Sequence, residues 1–446
     1  MPRRARPEAQ WLTEAARTNL WLLPTAATLA VTVLFLITRA VDSAAYHHGW
    51  QLPSWVIAGS ADGARQILTT IAAALITVVG VVFSIILVAL TLTSTQFGPR
   101  MLRNFIRDRG TQWTLAAFVA TFVYAMLDLV AVGGGPKGEF VPHVSITAVL
   151  LLTVVDIGVL IYFIHHVAVM IQLPQVIAGI AGDLAQAVDA EMASRGADGL
   201  SFPGGAPEVE LLRGLMDRAG GVVATQQSGY LQFVRTSMLV DLAVRHDAVI
   251  KLHHRPGHFL AAGAPFLTVW PASAAPDVER FLRRAHITGT YRTLTQDVAF
   301  AVDQLVEIAI RALSMAVNDT FTALTCIDWL GASLSRIAAD YDPDPVCRDA
   351  RGLVRLVLAP VSYERLVERA FEKVRQAAAG MPAVLIRQLD ALVLITQATR
   401  RPERLPVLLA QAEMIHRLAT ETVREPADLA DIEEAYRALV ALHPKA

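Results

Sequence analysis

The chain is poor in cysteine, in charge and in aromatic side chains, and each shortage excludes something. Cys326 and Cys347 are its only two cysteines. Neither has metal-ligand spacing around it, and a structural disulfide is not expected between them. No long basic block with interleaved aromatics occurs, which argues against a nucleic-acid partner. A phosphate-binding loop, a nucleophile beside a base and a metal-binding motif are all missing, so the chain does not read as an enzyme and no cofactor or metal is expected. Charged residues make up only 18% of it, and the net charge of -1 hides two unlike parts. The first 175 residues are apolar, whereas the remainder holds most of the acidic side chains.

What is present is a set of long apolar runs. Four stretches, near residues 19–39, 65–97, 112–133 and 144–172, are each long enough to cross a bilayer. The first has no clear small-residue cleavage site and is read as a span rather than a signal peptide. Arg3, Arg4, Arg6 and Arg17 precede it, and Arg100, Arg103, Arg107 and Arg109 lie between the second and third spans. The other connections carry only Arg39, Arg65 and Lys137, so the positive-inside rule places both termini on the cytoplasmic side of the cell membrane.

The second run is the most informative. It reads as one helix about 45–50 Å long, more than the roughly 30 Å of hydrocarbon it would cross. Its polar and small residues, Gln66, Thr70, Ala73, Thr77, Gly80, Ser84, Val88, Thr91 and Thr95, recur at steps of three or four and share one face. Such a seam is expected to face neighbouring helices or water, because lipid would leave its hydroxyls poorly satisfied.

Other candidates are acids and cations near the bilayer. Asp156 falls near the midplane of the fourth span, where an ionised carboxylate is costly, so it is read either as functional or as bonded to a hydroxyl of a neighbouring helix such as the second. Asp128 lies nearer the outer end of the third span and is expected to snorkel. His165 and His166 are read as interfacial packing. Arg100, Arg103, Arg107 and Arg109 at the cytoplasmic mouth serve either as topology signals and lipid contacts or as an electrostatic attraction for anions. Residues 41–64, with Tyr46, His47, His48, Trp50, Pro53 and Trp55, suit an interfacial loop, and the glycines around Pro136 signal a tight turn.

Beyond the spans, residues 173–195 keep a helical pattern and are expected to extend the fourth span as a stalk, broken by the Gly and Pro cluster at 201–207. Residues 229–270 alternate between strand and turn signals. From Pro276 the chain is helical, with late helices near 362–379, 383–399, 403–424 and 427–442. The organisation expected is therefore an α-helical integral membrane protein. It has a four-helix transmembrane domain (1–175), a stalk and linker (176–207), and a cytoplasmic α+β region made of a small strand-rich unit (208–275) and a helical domain (276–446). His246, His253, His254, His258 and His286 gather in the strand-rich part but lack a standard ligand spacing and are read as solvated. Asp303, Glu307 and Arg311 follow one another at single-turn spacing, which favours ion pairs along the helix, and Asn318 or Asp319 can cap the next one. These five residues are read as an interface or buried network.

The run from Gly80 to Arg100, continuing through Arg107, Asp108, Arg109, Gly110, Thr111 and Gln112, resembles the signature of a bacterial membrane protein family known as domain of unknown function 2254. Gly229-Tyr230-Leu231-Gln232, Arg255-Pro256-Gly257, Arg292-Thr293 with Gln296-Asp297, and Arg311 to Ser314 with Asn318-Asp319 are similar to it as well. The sequence departs from that pattern at Met315 and Thr320, where proline is usual. The resemblance implies a four-span membrane region with a cytoplasmic portion and assigns no activity.

The leading expectation is an oligomeric, channel-like protein embedded in the lipid bilayer. Its second spans would line a path for a small ion, and its cytoplasmic domains would set assembly or gating. The competing expectation is a non-conducting scaffold or sensor whose cytoplasmic domain binds a partner or small ligand.

Overall fold

The computed structural model describes residues 21–48, 53, 56, 59–97, 108–135, 138–197, 206–341 and 344–442. It divides into two compact units, 1–172 and 173–446. The N-terminal unit contains four helices long and apolar enough to cross a membrane: α1 (Leu22–His48), α2 (Ala61–Phe97), α3 (Arg109–Ala131) and α4 (His143–Met170). Helix α1 runs well past the expected end of the first span, because residues 41–48 contain no glycine or proline to stop it. Part of the expected outer loop is therefore helix, and Tyr46 within it packs edge-on against Phe140 with ring centroids 5.4 Å apart. Trp50 and Trp55 lie outside the described residues. The glycine-rich connection forms a hairpin of β1 (Gly133–Gly135) and β2 (Gly138–Phe140).

Helix α3 is the central one, packed against α1, α2 and α4. Its buried face combines Ala116, Ala120 and Ala125, which let neighbours approach closely, with Phe118 and Tyr124. Helix α2 turns Leu68, Leu75, Val82 and Ala89 inward at seven-residue steps, all 4% exposed or less. Thr114, Thr121 and Asp128 of α3 repeat at the same step and are at most 2% exposed. That spacing suits helices packed in a left-handed supercoil.

Both ends of α4 are pinned to other elements. Pro142 offers no side-chain cap, and the free N–H groups of the first turn are taken by Asp42 of α1. Toward the other end, His166 meets Asp108 at 2.9 Å, while the same Asp108 caps α3 by accepting from the Thr111 amide at 2.7 Å. Gly110 makes this approach possible, since a Cβ there would lie 2.6 Å from the His166 ring.

The C-terminal unit begins with α5 (Leu173–Ala197). This helix is not a continuation of α4: Ile171 and Gln172 interrupt the two, and Ile177, Ile180, Ala181, Leu184 and Val188 are buried. The expected stalk is thus a packed helix, laid against α9 and α10 described below. After α6 (Ala206–Ala219) come β3 (Gly221–Ala224), β4 (Gly229–Val234), α7 (Thr236–Arg245), β5 (Val249–Leu252), β6 (Phe259–Leu260) and β7 (Pro265–Trp270). Then follow α8 (Ala275–Ala285), β8 (His286–Gly289), α9 (Val298–Ala312), α10 (Thr320–Asp340), β9 (Val346–Arg348) and β10 (Val354–Val357). Helices α11 (Tyr363–Ala377), α12 (Pro382–Ala398), α13 (Leu405–Thr422) and α14 (Pro426–Val440) complete the unit.

The strands form one sheet in the order β3-β7-β5-β10-β9 and a second in the order β6-β4-β8. The expected boundary between a strand-rich unit (208–275) and a helical domain (276–446) therefore does not hold. Strands β8, β9 and β10 come from the second range, and β10 pairs in parallel with β5 inside the larger sheet. The strands and α8 share one core, with Leu231, Ile250, Phe266, Val269, Val278 and Leu356 buried together.

Candidate functional site

The α2 line is the first candidate. Gln66, Thr70, Thr77, Gly80, Ser84 and Thr91 are all exposed, on the side opposite the buried heptad face. The Thr95 side chain lies outside the described residues. Thr70, Thr77, Ser84 and Thr91 donate back to the carbonyls of Gln66, Ala73, Gly80 and Leu87 at 2.7, 2.9, 3.0 and 2.8 Å. Each hydroxyl proton is therefore satisfied within its own helix. This corrects the expectation that hydrogen bonding alone would force the seam against helices or water. No described residue fills the space over Gly80, where a Cβ would meet no atom within 4 Å. Thr77, Gly80, Ser84, Val88 and Ile171 line a groove of about 600 Å³ at this place.

The intramembrane acids sit on the inner side of the helices. Asp128 does not snorkel: it is 0% exposed, and neither carboxyl oxygen has a partner among the described residues. The charged groups that act on it are Asp42 and Arg39. Asp156 is 3% exposed and hydrogen-bonded to Thr121 of α3, so its partner belongs to the third span rather than the second. Its Oδ2 has no partner among the described residues. Asp42 escaped the sequence reading. It accepts from the Val144 and Ser145 amides and from the Ser145 hydroxyl, close to a second buried pair in which Thr38 and Tyr124 lie 2.7 Å apart. Its position beyond the expected end of the first span concealed it.

Of the expected cationic mouth, Arg100, Arg103 and Arg107 lie outside the described residues, while Arg109 is exposed at the start of α3. His165 is exposed and His166 is half-buried, stacked on Tyr162 at 5.3 Å.

The C-terminal unit holds a second polar centre. Asp303 pairs with side chains from other elements: Arg292 reaches its carboxylate at 2.6 Å, and Arg369 of α11 grips both its oxygens at 2.9 and 2.7 Å. Arg292 also binds Asp297 at 2.7 Å and lies over the Phe300 ring, 4.8 Å from its centroid. Asp297 is 4% exposed and caps α9 through the Phe300 amide. Glu307 and Arg311 are half-buried on the same helix. Of the two capping candidates for α10, Asp319 takes the role by accepting from the Thr322 amide at 3.1 Å. Asn318 adopts φ 50 and is exposed, beside the bare apolar side chains of Met315, Val317 and Phe321.

Three distant segments converge on this centre. The Gly257 amide donates to the Leu231 carbonyl at 2.7 Å, and the Leu231 amide donates to His258 at 2.9 Å. Gln296 pairs both ways with the Val234 backbone, at 2.8 and 3.2 Å. Gly257, at φ 94, sits so close to Asp297 that a Cβ would fall 2.0 Å from its Oδ2. The histidines form no common cluster, although the His254 and His258 rings meet edge-on at 5.8 Å. His253 meets Thr268, His254 meets the Pro265 carbonyl and His286 meets the Leu282 carbonyl, at 2.8, 3.1 and 2.7 Å. No group able to hold a metal occurs among the described residues. His258 is pushed down to about 4 by burial and by the nearby Arg255.

Comparison with known proteins adds a family and no chemistry. The family described as "Predicted membrane protein (DUF2254)" matches residues 17–393. An uncharacterized protein of Mycobacterium bovis and one of Mycobacterium tuberculosis strain H37Rv are each 30% identical to the chain over 423 residues, covering 92% of it and 78% of their own length. No solved structure matches.

Proposed function

Because the chain belongs to the DUF2254 family of predicted membrane proteins, we propose that it works as an oligomer in the bilayer, with the outward line of α2 facing a path for small ions between copies. One observation carries this reading. Helix α2 buries the apolar line of Leu68, Leu75, Val82 and Ala89, and the four-helix unit leaves the hydroxyl-bearing line of Thr70, Thr77, Ser84 and Thr91 uncovered, flanked by exposed apolar residues such as Ile76, Val81 and Val88. Hydroxyls and glycine along a helix suit the lining of an ion path, and four spans are few for a carrier acting as a monomer. The C-terminal unit offers a place for assembly in Met315, Val317 and Phe321, which are 98%, 53% and 82% exposed beside Asn318. Both termini and the C-terminal unit belong on the cytoplasmic side by the charge rule.

A second reading, a scaffold or sensor that conducts nothing, is favoured by the internal bonding of the seam hydroxyls. Such a face can rest dry against lipid or against another helix. Ion flux into liposomes, measured for the unaltered chain and for Ser84→Leu and Thr91→Leu, separates the two. Flux that both substitutions abolish at unchanged oligomer size supports the conduit, and silence across ions, pH and voltage supports the scaffold.

A further inference from the structure

The polar centre of the C-terminal unit has more positive charge than its own acids use. Arg292 and Arg369 are committed to Asp297 and Asp303. Arg255, in the turn between β5 and β6, adds a third guanidinium within electrostatic reach of Asp297. It is half-buried, acts electrostatically on Arg369, Asp297, Tyr341 and Arg292, and makes no hydrogen bond or ion pair among the described residues. The turn that presents it is rigid. Pro256 follows it, Gly257 is held by the Leu231 carbonyl, and the His258 amide closes back on the Arg255 carbonyl at 3.1 Å. A flexible surface arginine without a partner would be unremarked, but a half-buried one on a fixed turn beside two other arginines is poorly served by solvent.

A second, independent vacancy in the hydrogen bonding lies on α11, within electrostatic reach of Arg255. The Arg369 Nε–H is buried and has no acceptor among the described residues, although the other end of the same guanidinium is fixed by Asp303. His258, pushed down by burial and then by Arg255, adds a polar ring on the same turn. Two unserved donor groups thus approach from different elements, a loop and a helix. A planar carboxylate satisfies one arginine fork, whereas a tetrahedral phosphoryl group presents oxygens in several directions and meets both.

We propose that Arg255 and Arg369 form a binding site for a phosphoryl group, carried either by a soluble phosphorylated molecule or by a lipid headgroup. Asp303 positions Arg369, and Asp297 with Gly257 sets the height of the Arg255 turn. The site is separate from the α2 line and stands whether or not that line conducts.

The full chain in detergent is titrated with inorganic phosphate at constant ionic strength against chloride, and separately reconstituted in nanodiscs with or without phosphatidic acid. Binding is read by calorimetry and by thermal shift. Saturable binding of either probe, weakened at least tenfold in Arg255→Gln, supports the site. A response to inorganic phosphate assigns a soluble ligand, and a response to phosphatidic acid alone assigns a headgroup. Arg255→Gln removes an unpaired guanidinium, so its ligand-free melting temperature should equal or exceed that of the unaltered chain. Should it fold poorly, Arg255→Lys keeps the charge without the fork and should weaken binding three- to tenfold. Absence of binding to both probes, or binding that neither substitution changes, overturns the assignment.

Discussion

Asp42 of α1 caps a helix to which it does not belong: its carboxylate accepts from the amides of Val144 and Ser145 at 2.8 and 3.0 Å, and from the Ser145 hydroxyl at 2.8 Å. The first turn of α4 is thereby tied to the far end of α1. Asp42→Ala should cost about 2–4 kcal/mol, since it removes a cap and strands buried donors. Thermal unfolding in detergent checks this, and Asp42→Asn should fall between the two.

Asp128 presents the opposite case, a buried carboxyl with no donor among the described residues. An unserved polar group in an apolar interior costs about 1–3 kcal/mol. Asp128→Val should therefore raise the unfolding temperature. A fall instead would mean that the carboxyl has a partner outside the described residues.

Acid should weaken the C-terminal unit. His258 is pushed down to about 4, and His253 and His286 are also pushed down, all chiefly by burial. Each has a folded-state affinity for protons below its unfolded one, so the neutral ring's contribution is complete above about pH 6.5 and is lost as pH falls toward each folded value. For His258 that window runs from about 6.5 down to about 4, and the loss is on the order of 1–3 kcal/mol after allowance for its partial exposure. Chemical unfolding at pH 7 and pH 4.5, with and without His258→Gln, measures it; the variant should show the smaller drop.

Gly257 tolerates no side chain. At φ 94 and with Asp297 Oδ2 2.0 Å from the position of a Cβ, Gly257→Ala must both strain the backbone and displace the carboxylate that holds Arg292. A destabilisation of about 2–4 kcal/mol is expected. Hydrogen exchange should localise the loosening to β4 and the start of α9.

The long elements were legible in the sequence because their signals are local. Gly380, Pro382, Pro402 and Pro426 separate periodic apolar runs, and the helices α11 to α14 begin and end near them. Strand β10 was not legible. Arg355 interrupts its apolar residues, and only the fold explains that arginine, which is 7% exposed and bound to Asp349 and Asp247 at 2.8 and 2.9 Å. The polar centre was half legible. Asp303 stood out on its helix, but the spacing along that helix pointed to Glu307 and Arg311, whereas Arg369 lies 66 residues away in sequence. Asp42 was hidden for the same reason, its acceptor role being defined by amides 102 and 103 residues downstream.

The internal bonding of Thr70, Thr77, Ser84 and Thr91 also fixes the chemical sign of the α2 surface. With each proton turned inward, what remains outward is a ladder of oxygen lone pairs spaced about 10.5 Å apart, one rung per heptad. Such a ladder can only accept. A hydrated cation, an ammonium group or a donor on a facing helix finds complementary atoms there, while an anion meets no hydroxyl donor until one gives up its own carbonyl.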